Sequence, residues 1–513
     1  MIIFKILKKF IFIFFFTSFS LGLLILNKYF YIFNIIYIIL FLIIANNFLF
    51  KFFIKSNLFF TIIFTIIDLS IFFIFINLPL PIKVNNILGI KKYLIFFSIF
   101  LIVLFKFIIL IKKFIESKVA LFHFFLFIFL IILLINIWQN TFHYYGDEPY
   151  YLLITHSISY DFDVDLKNNY ENNDYSNFYN FHLRKQPSYE KNNKIYSSHF
   201  IGLPILLALP YKFLGKQGVI LIISFISTLF IYLFYKFVYL YFPKNSSKKI
   251  FILVLILLFT APFLEMYSSI YPEIPAACIF LILFIDYQKN YINLFKHSFA
   301  FLFLALLGIK YLPAALFIWF LLAINYYKNK KLFLFCFLTL LMILIHQSII
   351  FYAYGEFKPF GIAFSHSKDS NNFSLSVFPT QFFKLLFGQR YGLFFCAPIY
   401  ILAIYSFIKN IKFFYLQFFI FFIHAFPFFM LDGVPGDSPP ARYFIAALPF
   451  LTFYLFLFLY QNFFNNKYLK YLFYLLYTIN TIYSLFYLVL PFYRNKTTGY
   501  NNFIYFIKTY IFN

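Results

Sequence analysis

Long apolar runs separated by short polar turns repeat along most of the chain. A helix needs about 20 mainly apolar residues to cross the hydrocarbon core of a bilayer. The pattern therefore predicts an all-α, polytopic integral membrane protein with about 13 to 15 transmembrane helices. The candidate spans are about 10–26, 29–50, 57–78, 93–111, 119–138, 217–242, 250–264, 274–288, 298–309, 311–325, 332–353, 392–408, 413–430, 444–461 and 471–490.

Composition supports the same class of protein. Hydrophobic residues make up 63% of the chain and charged residues 12%, with a mean hydropathy of +0.85. The net charge of +25 comes from lysines in the short turns, where they set orientation and contact anionic lipid head groups. No basic soluble module is visible, so we expect membrane lipids, and no nucleic acid, as partners of these lysines.

The alternation of lysine-rich and acidic turns predicts which regions share one face of the membrane. With an uncleaved first helix and the N-terminus inside, the outer regions are 139–216, 265–273, 354–391 and 431–443. They contain 14 of the 17 acidic residues, although the positive-inside bias alone produces part of this segregation. The first outer loop, 139–216, is predicted to be partly helical. Its last part, 200–214, is interrupted by prolines and suits an interfacial or re-entrant helix.

An acidic pair, Asp147-Glu148, closely follows the apolar run 119–138 and is surrounded by aromatic residues. Carboxylates at the end of a membrane helix are costly to desolvate and seldom serve packing alone. If the pair opens a helix, the two side chains diverge by about 100°, so only one can face a given substrate atom. One interpretation makes Asp147 a general base, with Glu148 orienting it or sharing protons. The other makes both residues partners of the helix dipole.

Three further carboxylates are candidate supporting residues. The run Asp161-Phe162-Asp163-Val164-Asp165 alternates acidic and apolar positions, which in an extended strand places its carboxylates on one face. Asp163 and Asp165 would then be ligands of a divalent cation, and a solvated loop is the equal alternative. Glu273 lies between two prolines, in a rigid turn that holds it at the outer surface or simply starts a helix. No cofactor is certain from the sequence, and whether a metal is needed stays open.

Cations on the predicted outer face are candidates for binding an anionic group. Lys310 interrupts the apolar stretch 298–325, where the positive-inside rule disfavours lysine and where a phosphate would favour it. Arg390 and Arg442 are two of the four arginines in the chain, and guanidinium forks suit phosphate or pyrophosphate. The alternatives are snorkelling of the lysine to head groups and anchoring of the arginines to lipid phosphate.

Taken in order, these motifs resemble the bacterial multispanning glycosyltransferases of the GT-C superfamily, which include protein O-mannosyltransferases and the aminoarabinose transferase of lipid A. The resemblance covers about 119–460, and the acidic pair is its most specific element. The residues that carry it are Gly146-Asp147-Glu148-Pro149-Tyr150-Tyr151-Leu152, Asp163-Val164-Asp165-Leu166-Lys167-Asn168-Asn169-Tyr170, Ser198-His199-Phe200-Ile201-Gly202-Leu203-Pro204, Tyr271-Pro272-Glu273-Ile274-Pro275, Gly388-Gln389-Arg390-Tyr391-Gly392-Leu393 and Ser438-Pro439-Pro440-Ala441-Arg442-Tyr443.

The resemblance implies a site and a reaction. Asp147 matches the catalytic base of the first outer loop, Lys310 and Arg442 would hold the donor phosphate, and Arg390 and His199 would lie nearby. The donor would be a sugar on a polyprenyl phosphate, and the acceptor a lipid, a glycan or a protein. Direct displacement with inversion is expected, at the periplasmic or extracytoplasmic face of a bacterial inner membrane. The main rival hypothesis is a transporter or flippase of lipid-linked sugars, which would show charged residues deep in several spans and inverted repeats. A second rival is an inactive structural relative.

The predicted organisation departs from the superfamily in two ways. Four extra spans precede the catalytic loop, and no sizeable soluble domain follows the last span. We therefore expect accessory membrane helices over 1–118, a GT-C-like catalytic membrane domain over 119–490 and a short tail over 491–513.

Overall fold

The computed structural model describes residues 118–139, 144, 146–185, 189–191, 193–242, 247–355, 374–431, 439–461 and 466–489. The chain divides into two units, Met1–Leu110 and Ile111–Asn513, and everything described belongs to the second. The predicted spans over 10–111, the tail 491–513 and the acidic residues of 356–373 and 432–438 lie outside the described residues.

Helices dominate the described part of the chain, as the apolar pattern predicted. One small antiparallel hairpin pairs Glu190 with Ile195 in the first loop. In chain order the elements are α1 Lys118–Gln139, α2 Glu148–Tyr160, α3 Lys167–Glu171, β1 Tyr189–Lys191, β2 Lys194–Tyr196, α4 Gly202–Tyr239, α5 Ser247–Leu258, α6 Phe263–Met266, α7 Glu273–Gln288, α8 Leu294–Leu307, α9 Leu312–Lys328, α10 Leu332–Tyr354, α11 Phe378–Phe387, α12 Leu393–Cys396, α13 Tyr400–Phe429, α14 Leu448–Gln461 and α15 Lys467–Val489.

By length and composition alone, four helical stretches of the described residues suit a membrane crossing: Gly202–Tyr239, Ile309–Lys328, Leu332–Tyr354 and Tyr400–Phe429, the last of which is bent. The helix α10 has the smallest buried fraction of the four, and its residue Phe333 is 84% exposed. Apolar side chains exposed along a whole helix suit hydrocarbon rather than water. The predicted all-helical membrane class is thus supported in its coarse form.

The helix α4 consists of two segments that meet at Gly215. This residue has φ 55° and ψ −141°, a conformation that only glycine adopts readily. Three residues later, a Cβ on Gly218 would lie 2.1 Å from the carbonyl oxygen of Pro210, so the two segments approach each other closely. The predicted division into a short helix over 200–214 and a following span is therefore present.

The helix α13 bends back on itself at Phe414, whose φ of −132° leaves the helical range. The rings of Phe407 and Phe418 stack with their centroids 3.8 Å apart, whereas 11 residues of straight helix would separate them by roughly 16 Å. The hydroxyl of Tyr454 donates a hydrogen bond to the carbonyl oxygen of Phe414 at this bend. Two short antiparallel segments were predicted here, over 392–408 and 413–430, and the reversal agrees with them. The first begins later than predicted, at Tyr400.

The centre of the bundle is α14, which is buried on all sides from Leu448 to Leu459. A helix that is apolar all round belongs in the interior of a membrane bundle. Aromatic contacts join it to its neighbours: Phe453 packs against Phe237 of α4 and Phe414 of α13, with ring centroids 5.2 Å apart in both cases. This packing fixes the position of the turn that precedes α14.

Candidate functional site

Five of the residues chosen from the sequence lie at helix ends that converge in space. Asp147 is the N-cap of α2, and Glu273 is the first residue of α7. Lys310 lies in a single 3₁₀ turn, Ile309–Tyr311, between α8 and α9. Arg442 begins another such turn before α14, directly after Ala441 in the left-handed conformation. His199 lies just before α4.

Ion pairs join four of these residues into one cluster, which we call the ion cluster: Asp147, Glu273, Lys310 and Arg442. The Nη1 atom of Arg442 donates to Oδ2 of Asp147 at 2.7 Å, and its Nε donates to Oε1 of Glu273 at 2.8 Å. The same Oε1 atom accepts from Nζ of Lys310 at 2.6 Å. Residues from four separate parts of the chain thus share one charge network.

The ion cluster is largely buried and balanced in charge. Side-chain exposure is 1% for Glu273 and 7% for Arg442, against 24% for Lys310 and 28% for Asp147. The cluster contains two carboxylates and two cations, so its charges balance. A buried charge without a partner costs several kcal/mol, so loss of either deeply buried member would destabilise the fold. The two more exposed members are the ones that a ligand can reach.

Aromatic rings support the cluster from one side. The guanidinium carbon of Arg442 lies 3.8 Å from the centroid of the Tyr271 ring, a cation–π contact. Tyr151 packs edge-on against Tyr271, and the His199 ring lies 4.8 Å from that of Tyr151. These rings exclude water from one side of the arginine. They also hold its side chain in one orientation.

Asp147 is ionised in this arrangement. Burial opposes its ionisation, but the charge of Arg442, together with His199 and Lys310, outweighs burial and holds the pKa of Asp147 below its ordinary value. Only Oδ2 is bonded to Arg442; Oδ1 lies 3.9 Å from Nε2 of His199. In this state Asp147 is a weak proton acceptor, because its ion pair stabilises the carboxylate.

His199 is a buried neighbour of the ion cluster. Burial holds the pKa of His199 below its ordinary value, and the charge of Asp147 offsets this only in part. Within the described residues its Nε2 atom has no hydrogen-bond partner, and neither does Oε2 of Glu273. Buried polar atoms normally find partners, so these two are candidates for contacting a ligand.

Glu148 accepts a hydrogen bond from a different part of the chain than Asp147 does. Its side chain is fully buried, and Oε1 accepts a hydrogen bond of 3.0 Å from the backbone N–H of Ile270. The divergence expected for neighbours at a helix start accounts for this. The prediction that Glu148 orients Asp147 or shares protons with it stays a prediction. The contact of Glu148 ties α2 to the segment before α7, which carries Glu273.

Arg390 lies in the turn adjoining that of Arg442. The backbone N–H of Ala441 donates to the carbonyl oxygen of Tyr391 at 3.2 Å, which joins the two turns. The guanidinium carbon of Arg390 lies 4.8 Å from the centroid of the Tyr391 ring. The predicted neighbourhood of the two arginines is thus present at the level of the backbone.

The acidic run 161–165 does not form the extended strand that was considered for it. Phe162 has a φ of 60°, which turns the chain, and Oδ2 of Asp161 accepts hydrogen bonds from the side chains of Asn168 and Asn169. A left-handed residue breaks the two-residue alternation that would have aligned the carboxylates. The run is a turn closed by its own polar side chains.

Asp163 and Asp165 bind local donors. Oδ1 of Asp163 accepts from the Ser157 hydroxyl at 2.9 Å and from the backbone N–H of Asp165 at 3.1 Å. Oδ1 of Asp165 accepts from the backbone N–H groups of Lys167 and Ile195, which ties the loop to the hairpin. No group of three or more metal-ligating side chains occurs in the part of the chain that the structure describes. Both residues thus stabilise the loop that follows α2.

An apolar cavity of about 360 Å³ lies between α8, α9 and α10. Its wall includes Phe200 and Ile309, the chain neighbours of His199 and Lys310. Gly308 lies between these groups, since a Cβ there would be 3.6 Å from the Phe200 ring and 3.7 Å from Cγ of Lys310. The cavity therefore adjoins the ion cluster. Sequence patterns did not indicate it, because each of its helices simply appears apolar.

The described residues form a mainly helical membrane protein with a buried ion cluster beside an apolar cavity. Comparison of the chain with protein-family models, with curated proteins and with solved structures finds no match.

Proposed function

We propose that this chain is a membrane glycosyltransferase that moves a sugar from a polyprenyl-phosphate donor to a lipid, glycan or protein acceptor. The observation that carries the proposal is the position of Lys310 and Arg442, two cations on one carboxylate oxygen, beside the apolar cavity. A polyprenyl phosphate has the matching chemistry, because it joins an anionic head to a long apolar tail. Phosphate favours such a pair of cations, and isoprenoid units favour a dry apolar wall.

In the proposed reaction a hydroxyl or amine of the acceptor attacks the anomeric carbon of the donor sugar. The bond from that carbon to the phosphate oxygen breaks, and polyprenyl phosphate leaves with the electron pair. Lys310 and Arg442 stabilise the charge that develops on the leaving oxygen, and Asp147 takes the proton of the acceptor. Attack opposite the leaving group inverts the anomeric centre. Tyr271 orients Arg442, and His199 lies where it can contact the sugar or the phosphate.

The proposal includes a location and a topology. The site would open at the periplasmic or extracytoplasmic face of a bacterial inner membrane, and the whole chain would cross the bilayer about 13 to 15 times. The location is based on the alternation of basic and acidic turns. This alternation assigns to the outer side the ends of α7, α8 and α13 that surround the cluster. The assay below is run with and without a chelator, which tests whether a divalent cation takes part.

The test is an assay of the purified full chain in lipid nanodiscs. Radiolabelled polyprenyl-phosphate sugars are supplied with lipid, glycan and peptide acceptors, with and without a chelator. The expected result is a labelled acceptor with the wild type and almost none with Asp147→Asn. Glu171→Gln removes a charge from an exposed position of the same loop and serves as the matched control. A transporter of lipid-linked sugars would instead move the donor between leaflets of a proteoliposome without forming a new glycosidic bond, which would refute the enzyme assignment.

A further inference from the structure

The two carboxylates of the ion cluster differ in how firmly they are held. Glu273 has a side-chain exposure of 1%, and its Oε1 atom binds both Arg442 and Lys310. Asp147 has a side-chain exposure of 28% and is hydrogen-bonded to Arg442 through Oδ2 alone. Leaving water is costly for a buried charge, so Glu273 is the permanent counter-ion of both cations. Asp147 is the one that can exchange for another anion.

Both edges of Arg442 that could hold a phosphate with two hydrogen bonds are partly engaged in its present state. A guanidinium offers two edges for such a grip, the Nε–Nη2 edge and the Nη1–Nη2 edge. Nε already donates to Glu273 and Nη1 to Asp147, so each edge has one of its nitrogens engaged. The face of the guanidinium is covered by the Tyr271 ring. Nε has a single N–H, so the Nε–Nη2 edge is taken by Glu273, and a bidentate ligand on the Nη1–Nη2 edge would compete with Asp147 for Nη1.

We propose that the donor phosphate takes the place of Asp147 on Arg442, so that the carboxylate is released towards the acceptor only after the donor has bound. This inference rests on the proposed function and adds an order of events to it. Glu273 stays in place and keeps Lys310 and Arg442 close together, since both bind one of its oxygens at 2.6 and 2.8 Å. The incoming phosphate then contacts both cations, and the charge it brings replaces that of Asp147.

Release from Arg442 also makes Asp147 a better base. Among the described residues, the groups whose charges act on Asp147 or respond to it are Arg442, Lys310, His199, Tyr150 and Tyr151. The two cations stabilise the carboxylate, and a bound phosphate screens them both. The proton affinity of Asp147 therefore rises when the donor is present, and the acceptor proton can transfer to it. When polyprenyl phosphate leaves, the ion pair forms again and the proton passes to solvent.

The experiment measures binding of polyprenyl phosphate without a sugar, so it does not depend on turnover. The full chain in nanodiscs is titrated as wild type, Asp147→Asn and Glu171→Gln, and thermal unfolding of each variant checks that it is folded. If Asp147 competes for Arg442, Asp147→Asn binds the lipid about 10-fold more tightly than the wild type, the scale of one hydrogen bond to a charged group. Glu171→Gln binds like the wild type, because its ion pair with Lys167 lies on the surface of the loop.

A second measurement compares the infrared spectra of the wild type and Asp147→Asn. Infrared difference spectra on addition of polyprenyl phosphate should show a change in a carboxylate band that is absent in Asp147→Asn. Equal or weaker binding by Asp147→Asn, or a spectrum without that band, overturns the exchange while leaving the glycosyltransferase proposal standing. Failure of the wild type and of both variants to bind the lipid overturns the proposed function, and the exchange with it.

Discussion

Asp147 and Glu148 are consecutive residues whose carboxylates bind different parts of the molecule. Asp147 pairs with Arg442 in the turn before α14, and Glu148 accepts the backbone N–H of Ile270 before α7. One residue caps α2 and the other begins it, so their side chains diverge. The acidic pair thus joins two functions, since one carboxylate faces the ion cluster and the other holds the backbone that supports it.

Asp147→Asn should lower turnover by about 100-fold or more, because it keeps the shape of the side chain but cannot accept the acceptor proton. Initial rates with saturating donor and acceptor measure this. Near-normal turnover would remove Asp147 from the mechanism.

The control for this variant is the neighbouring carboxylate. Glu148→Gln keeps an oxygen that can accept the Ile270 N–H, so its turnover should stay close to that of the wild type. Glu148→Ala should instead lower the free energy of unfolding by about 1–3 kcal/mol, since it leaves a buried donor without its partner. A 100-fold loss of turnover in folded Glu148→Gln would contradict the separation of the two roles.

Lys310→Met should weaken donor binding by about 10- to 100-fold, because it removes one of the two cations offered to the phosphate. Arg442→Lys should have an effect of the same order, since a lysine keeps the charge but loses the planar fork. Donor affinity and thermal stability are measured side by side in detergent. Unchanged affinity with lowered stability in both variants would identify Lys310 and Arg442 as structural residues or lipid anchors.

Filling the cavity should discriminate between donors of different chain length. Ala305 and Ala315 line the cavity, and Ala305→Phe places a ring in the space that the isoprenoid units would occupy. The KM for a long-chain polyprenyl donor should rise by about 10-fold or more, an energy comparable to burying one or two apolar groups. A donor with a very short tail is the internal control and should retain its KM. Equal effects on both donors would place the tail elsewhere.

Protonation of His199 should destabilise the protein in mild acid. The pKa of His199 is lowered by burial, so the unfolded chain binds a proton that the folded chain does not as the pH falls below 6.5. Stability is therefore full above that pH and declines towards the lower, folded-state pKa, by at most about 1.4 kcal/mol per pH unit. Thermal unfolding at several pH values should show a smaller decline for His199→Gln than for the wild type. Identical declines would assign the pH dependence to other groups.

The sidedness of the first outer loop can be tested with single cysteines. One placed at Asn177 and one at Ser247 lie in turns assigned to opposite faces by the charge pattern. An impermeant thiol reagent should label them from opposite sides of sealed vesicles, after the native cysteines are replaced. Labelling of both from one side would overturn the outer-face location.

Sequence patterns indicated which residues form the ion cluster better than they indicated which atoms pair with each other. Asp147, Glu273, Lys310 and Arg442 stood out because each is a charged residue beside an apolar run, where charge is expensive. The sharing of Oε1 of Glu273 by two cations depends on the packing of α7, α8 and α14, which no local pattern contains. The contact of the Tyr271 ring with Arg442 was not predicted either, because the chain has 45 tyrosines and no local pattern marks the one that packs on the guanidinium.

The acidic run 161–165 shows the opposite outcome. Alternation of acidic and apolar residues is a signal for a strand only when every residue adopts extended backbone. Asn168 and Asn169 offer donors within reach of Asp161, and these local hydrogen bonds favour a turn over a strand. The backbone conformation of a short polar segment of this kind depends on hydrogen bonds to side chains a few residues away. A periodic pattern of residue types contains no information about these bonds.

The reversal at Phe414 changes how many crossings the proposed membrane topology assigns to this stretch. A straight helix of 30 residues would be about 45 Å long and would deliver the chain to the opposite leaflet. Because the chain makes a U-turn instead, Tyr391 and Ala441, on either side of α13, come close enough to share a hydrogen bond. A hydropathy count that scores this stretch as one crossing inverts the side of every later loop. Such a count would place Arg442 across the bilayer from Asp147. The non-helical backbone of Phe414 thus allows the two partners of this ion pair to lie on the same side.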